Sequence, residues 1–151
     1  MMDKAEELRY LFLAVQREGN RALTDALSPL DLTPAQAEVL QVLEQYGSLT
    51  LVEVGERLVC ENGSPSRLVN SMVDKGLVQK TTSQTDRRAS KLTLSKRARD
   101  LMPALNQIER RFNQSLDFLD PATMDQALGL LWLLAENTSS GQALKRRKNR
   151  T

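Results

Sequence analysis

Between Leu32 and Ser95 the sequence is punctuated so often that no long element fits there. Thr33-Pro34 joins a good N-cap side chain to a residue whose fixed φ and missing N–H suit the first position of a helix. Ala37, Val39, Leu40, Val42 and Leu43 follow at apolar positions, and Gly47 supplies a stop, so a helix to about Tyr46 is predicted. Ser48-Leu49-Thr50 is a short extended piece. Thr50, with Glu53 three residues on, is a capping box for a further helix that carries Leu51, Val54 and Leu58 and ends near Val59. The turn Glu61-Asn62-Gly63-Ser64-Pro65 leads into another helix, capped by Asn62 or Ser64. It contains Leu68, Val69, Met72 and Val73 and is closed by Gly76 at C′. Leu77-Val78-Gln79-Lys80 alternates as a strand does, Thr81 to Ser90 is a polar tip, and Lys91-Leu92-Thr93-Leu94 returns, which makes a hairpin. Three short helices followed by a hairpin are the order of a winged helix-turn-helix.

The flanks are longer and more regular. Leu8, Leu11, Phe12, Val15, Ala22, Leu23, Ala26 and Leu27 recur at helical spacing from Ala5 to about Leu27, with Gly19 as a weak point and Ser28-Pro29 as the end. Ser95 caps a long helix to about Leu119, striped by Leu101, Leu105, Ile108, Phe112, Leu116 and Leu119 and expected to bend at Pro103. Asp120-Pro121 begins a last helix whose buried face would be Met124, Ala127, Leu128, Leu131, Trp132 and Leu134. Thr138 to Gly141 reads as a loop, and Lys145 to Arg150 as a basic, disordered tail.

The expected fold is mainly α with a small β-hairpin wing. It is a single domain over 1–142: a winged helix-turn-helix lobe over 33–99, flanked by N- and C-terminal dimerisation helices over 5–27 and 100–140, with a tail over 143–151. The two terminal stripes carry more apolar surface than a small core absorbs. A second copy is the simplest partner, and its two-fold axis would set two recognition helices about one DNA turn apart.

Composition removes several chemistries. The chain has 151 residues, no histidine and one cysteine, Cys60. Imidazole bases, Ser-His and Cys-His nucleophile pairs, internal disulfides and multi-cysteine metal sites are therefore excluded, and no glycine-rich phosphate loop or paired-carboxylate motif is present. No enzyme activity, cofactor or metal is expected. The longest apolar run, Leu130 to Ala135, is too short to span a bilayer, and the N-terminus MMDKAEE is no secretory signal, so a cytoplasmic location is expected.

The net charge of +2 conceals a segregation. Residues 1–61 hold 5 basic and 11 acidic side chains, 62–99 hold 9 and 2, 100–142 hold 2 and 6, and 143–151 hold 5 and none. A basic middle inside an acidic remainder is a footprint for a polyanion. The second helix of a helix-turn-helix enters the major groove, which here is Ser64 to Lys75. Ser64, Ser66, Arg67, Asn70 and Ser71 near its start are short donors and acceptors suited to base edges and phosphates. The hairpin adds Lys80 and Lys91 on its strands and Asp86-Arg87-Arg88 at its tip. An arginine there suits a narrow A·T-rich minor groove, with Asp86 fixing one guanidinium.

Leu32-Thr33-Pro34-Ala35-Gln36, Ser66-Arg67-Leu68-Val69, Lys75-Gly76-Leu77-Val78, Asp86-Arg87-Arg88 and Lys91-Leu92-Thr93-Leu94-Ser95, in this order and spacing, resemble the MarR family of multiple antibiotic resistance regulators. The resemblance covers about residues 5–140. It implies a homodimeric transcription factor on a pseudo-palindromic operator of double-stranded DNA, with the first and last helices as dimer interface. The helix at 64–75 would read the major groove, and Arg88 or Arg87 would enter the minor groove. A repressor relieved by a small-molecule effector of unknown identity is the corresponding expectation. Two other readings stay open: a winged-helix protein-interaction module without a DNA site, and a redox-responsive regulator built on Cys60.

Overall fold

The computed structural model describes residues 1–61, 63–82 and 90–149. In chain order these form α1 (Lys4–Leu27), a 3-10 turn (Ser28–Leu30), α2 (Pro34–Tyr46), α3 (Leu51–Gly55), α4 (Pro65–Asp74), β1 (Val78–Thr81), β2 (Lys91–Leu94), α5 (Lys96–Gln114), α6 (Pro121–Ala135) and α7 (Ser139–Lys148). The strands run antiparallel, with Val78 opposite Leu94 and Thr81 opposite Lys91. Leu49 adds a bridge to Leu92, so the extended piece before α3 joins the edge of the hairpin.

The capping chemistry accounts for most boundaries. The Thr33 hydroxyl accepts from Gln36 N–H at 3.2 Å while Gln36 Oε1 accepts from Thr33 N–H at 3.0 Å. Thr50 and Glu53 repeat this box at 3.2 and 2.7 Å. At the end of α4, Gly76 N–H bonds Val73 O and Leu77 N–H bonds Met72 O, a Schellman motif that needs Gly76 at φ 73°. Ser95 then links two elements. Its hydroxyl donates to Gly76 O at 2.6 Å and accepts from Ala98 N–H at 3.1 Å, which ties the end of α4 to the start of α5.

The core gathers around α2. Val39, Leu40, Val42 and Leu43 are fully buried among Leu27 of α1, Val54 of α3, Val69 and Met72 of α4, Leu77, Leu92 and Leu94 at the hairpin, and Ala98, Met102 and Leu105 of α5. The lobe is closed by this one cluster.

Four expectations are corrected. The first concerns α3, which stops at Gly55 and not near Val59. Arg57 N–H turns back to Val54 O and Leu58 N–H to Gly55 O, and Val59 N–H leaves the helix for the Glu38 carboxylate. Next, α5 ends at Gln114, because the Ser115 hydroxyl takes the Phe112 carbonyl at 2.6 Å and tight turns follow. Thirdly, the expected buried face of α6 is not buried within the chain: Leu128, Leu131 and Leu134 are exposed, and Met124, Ala127 and Trp132 are half-buried. The stripe on α1 is likewise open except at Leu27 and the half-buried Phe12, Leu23 and Ala26.

The fourth correction is the basic tail. Residues 139–148 are neither loop nor disordered; they form α7, capped by Thr138, whose hydroxyl accepts from Gly141 N–H at 3.0 Å. Gly141 is required by packing, since a Cβ there would collide with the Ala135 carbonyl at the end of α6. Ala143 is buried, and polar contacts from Arg146 and Arg147 dock the helix on the lobe.

Leu105 is fully buried on α5 against this core. Leu105→Ala is expected to destabilise the chain by about 2–5 kcal/mol, read as a lower urea midpoint. An unchanged midpoint would contradict its place in the core.

Candidate nucleic-acid interface

Helix α4 is amphipathic in a way that sorts the candidate residues. Val69 and Met72 are buried, and Leu68 and Val73 are half-buried against the core. Arg67, Asn70 and Ser71 lie on the opposite, exposed face at i, i+3 and i+4. Asp74 continues that face one turn later. Ser64, not Asn62, is the N-cap residue; Asn62 lies outside the described residues. The Ser64 side chain does not cap the helix but sits 2.7 Å from the Ser66 hydroxyl, and Ser66 is half-buried. Pro65 occupies the first turn, where its missing N–H costs nothing. The Ser71 hydroxyl donates to Leu68 O at 2.7 Å, which leaves its oxygen lone pairs facing out as acceptors.

On the hairpin, Lys80 is exposed on β1. Lys91 on β2 has its Nζ 3.7 Å from Glu53 Oε2, so this cation is already shared with an acid at the start of α3. The Thr50 backbone N–H foremost, then the Thr50 hydroxyl, Lys91 and Arg57, outweigh desolvation and hold the Glu53 carboxyl below its ordinary range. Asp86, Arg87 and Arg88 lie outside the described residues. The structure thus brings Ser64, Arg67, Asn70 and Ser71 together at one exposed surface, with Lys80 and Lys91 on the neighbouring hairpin.

One further residue is missing from the candidates that the sequence suggests. Glu38 stands inside the apolar run of α2 and is buried. Its Oε1 accepts from Val59 N–H at 2.8 Å and from Arg147 Nη1 at 2.9 Å, and its Oε2 accepts from Cys60 N–H at 2.7 Å. An acid set among Ala37, Val39 and Leu40 on α2 is the available signal, because a group buried with them must find partners.

Cys60 is exposed as a residue. Desolvation of its thiol, then the charge of Glu38 and a hydrogen bond to it, push the thiol up to about 11. A thiol held protonated is a poor nucleophile and a slow target for oxidants, which weighs against the redox reading. Beside it, an open cleft of about 730 Å³ lies between α1 and the Val59-Cys60 turn, lined by Leu13, Arg17, Asn20 and Leu23 among others. Tyr10 and Trp132 do not line it. Among the described residues no group of three or more acidic or cysteine side chains is placed to hold a metal, and no helix is long and apolar enough to cross a membrane.

A helix-turn-helix built on a buried α2, followed by an antiparallel wing, defines a winged helix-turn-helix fold. Residues 30–89 match the profile of the MarR family. The chain is 28% identical over 152 residues to the transcriptional repressor MdtR of Bacillus subtilis, covering 97% of this chain and 94% of that one. It is 27% identical over 111 residues to the regulator SarZ of Staphylococcus epidermidis, covering 73% and 75%. Its fold is similar to that of a mutant MarR from E. coli complexed with operator DNA, at a TM-score of 0.74 and 26% identity, covering 85% of this chain and 94% of that one. Over residues 30–89 the chain is thus similar to the MarR family, and the relatives and structural neighbours named here are transcription regulators.

At pH 8 the Cys60 thiol should react with iodoacetamide at least about tenfold more slowly than a free thiol of ordinary acidity. The rate should climb about tenfold per pH unit and level off only above the raised pKa of about 11. Ordinary or fast alkylation at pH 8 would return the redox reading.

Proposed function

We propose that the chain is a homodimeric repressor that binds a pseudo-palindromic operator in double-stranded DNA and is released by a small-molecule effector. The observation that carries this reading is the exposed face of α4, where Arg67, Asn70 and Ser71 project from a helix anchored by Val69 and Met72. An arginine fork and an amide are the side chains that pair bidentately with guanine and adenine edges. Similarity to a MarR protein complexed with operator DNA supports DNA as the partner. Arg88 or Arg87 at the wing tip would enter the minor groove with Asp86 orienting one of them, and Lys80 and Lys91 would meet the backbone. Phosphate contacts would supply most of the affinity and α4 the sequence preference.

The remaining parts have their own support. Leu8, Leu11 and Val15 on α1 and Leu128, Leu131 and Leu134 on α6 are exposed in a single chain, an apolar surface of the kind that marks an association site. A second copy would cover it. Repression follows the relative MdtR, a repressor by name. The cleft between α1 and the Val59-Cys60 turn is the place where an effector would move the first helix relative to the lobe. Such a protein works in the cytoplasm.

Selection of bound duplexes from a random library, repeated with Arg67→Ala and Arg88→Ala, tests the reading. The native chain should return an inverted repeat with half-sites about one helical turn apart. Arg67→Ala should lose about 1–3 kcal/mol and relax the preference at one position of each half-site. Arg88→Ala should lose a similar amount, most at A·T-rich flanks. Steeply salt-dependent binding with no preferred sequence would overturn the reading and favour the protein-interaction module. In size measurement, Leu131→Asp should convert a dimer to a monomer; a native chain that already runs as a monomer would remove the homodimer.

A further inference from the structure

The terminal segment 143–151 carries 5 basic residues and no acidic one, the composition of an arm that contacts phosphate. The structure turns Arg147 inward and ties Arg146, which stays exposed, to the surface of the lobe. Arg146 Nη1 donates to Glu56 O at 3.2 Å, and the Arg146 carbonyl accepts from the Tyr46 hydroxyl at 3.2 Å. The Tyr46 ring in turn lies 4.7 Å beneath the Arg57 guanidinium. Arg147 reaches deeper, to Glu38 at 2.9 Å, with side chains only 25% and 7% exposed.

What Glu38 does on its other side gives this contact its consequence. Val59 and Cys60 are the residues through which the chain leaves α3 and heads for Ser64, the N-cap of α4. Their N–H groups have Glu38 as acceptor at 2.8 and 2.7 Å. Two amides do not neutralise a buried carboxylate, which needs a cation or water to complete its shell. Arg147 is that cation. Without it water must enter at Glu38 and compete for the same oxygens, and the turn ahead of α4 gains conformational freedom that DNA binding would have to remove.

Building on the DNA-binding reading above, we propose that Glu38 and Arg147 are a positioning pair for α4. The C-terminal basic helix serves recognition from inside the protein, by fixing the entry to the reading helix, and Arg147 touches no phosphate. The dimer-side C-terminus and the recognition helix are thereby joined through one buried carboxylate.

The test uses the full chain with Arg147→Gln, Arg147→Lys, Glu38→Gln and the Arg147→Gln/Glu38→Gln double variant, on the duplex chosen by the native protein. Arg147→Gln should weaken binding roughly tenfold, and the double variant should be little worse than either single one, because the two side chains act as a unit. The slope of log affinity against log salt should match that of the native chain, and Arg147→Lys should recover part of the loss. Amide exchange at Val59 and Cys60 should quicken in Arg147→Gln by more than the accompanying fall in the urea midpoint accounts for. A slope reduced by about 0.9 with additive losses would make Arg147 a phosphate contact and overturn the proposal. Affinity within twofold of native, or unchanged exchange at the two amides, would overturn it as well. The exchange measurement needs no DNA. If the native chain prefers no duplex, the functional reading and the positioning role fall together, while exchange still decides whether Arg147 holds the turn.

Discussion

Everything in the lobe is placed by the enclosure of α2. Gln36 to Leu40, with Val42 and Leu43, is buried in a helix of 13 residues, and α1, α3, α4, α5 and β2 all pack on it. A helix with seven of its 13 residues buried keeps only a narrow solvent face, here Gln41, Glu44 and Gln45, so its neighbours close around the rest. Burying Leu40 and Leu43 alone is worth about 1.5–3 kcal/mol each, and both are complete only when α4 and α5 are seated. The orientation of α4 is therefore a consequence of packing on α2. Its outer face is left to polar residues because Val69 and Met72 have already taken the inner one. The same enclosure makes a polar residue on α2 consequential. Removing one partner of a buried ion pair typically costs about 3–5 kcal/mol, which is why the single acid of this stretch is surrounded by two amides and a guanidinium.

The parts of the fold legible in the sequence are those set by local chemistry. Thr33, Thr50, Ser95 and Asp120 each cap the helix their neighbours predict, because an N-cap needs only a side-chain oxygen and the next three residues. Gly76 closes α4 for an equally local reason. The exposed face of α4 is readable from the period of Leu68, Val69, Met72 and Val73. The failures share a different cause. Helix α7 reads as a tail in sequence because Lys145 to Lys148 are polar all round; its order comes from Glu38, Tyr46 and Glu56, about a hundred residues back in sequence. The early end of α3 has the same origin in Glu38. The stripe on α6 is plainly apolar in sequence, but periodicity says only that a face seeks cover and not whether the cover is in the same chain.

That distinction also divides the molecule. The lobe is closed within one chain, whereas α6 and the N-terminal part of α1 carry their leucines outward. Acidic side chains outnumber basic ones in 1–61 and in 100–142, the stretches that hold these two helices, while the excess of cations lies in 62–99 and at the C-terminus. Helices meeting through leucines with acids at their margins would keep a polyanion away from the association surface and leave it to the lobe. On the proposed reading, shape and charge would suit the two surfaces to different partners.

The cations themselves are not equivalent, and this bears on how the charge of +2 should be read. Lys91 is shared with Glu53, Lys75 bonds the Asp31 carbonyl, Arg97 the Lys75 carbonyl, Arg99 the Leu94 carbonyl and Arg147 the Glu38 carboxylate. Each of these groups spends donors on the protein's own backbone or acids, and the guanidinium fork makes arginine the better suited to such bonds. Arg67 on α4 and Lys80 on β1 are exposed on the surface that bears the polar residues. A basic segment at the level of sequence is therefore two populations in the fold: cations that hold the turns and helix ends around α4, and cations available to a polyanion. The first population is needed so that the second can stay small. Lys75, Arg97 and Ser95 fix the exit of α4, and Glu38 with Arg147 bonds the turn at its entry, so that on the proposed reading its exposed donors would meet DNA already in place.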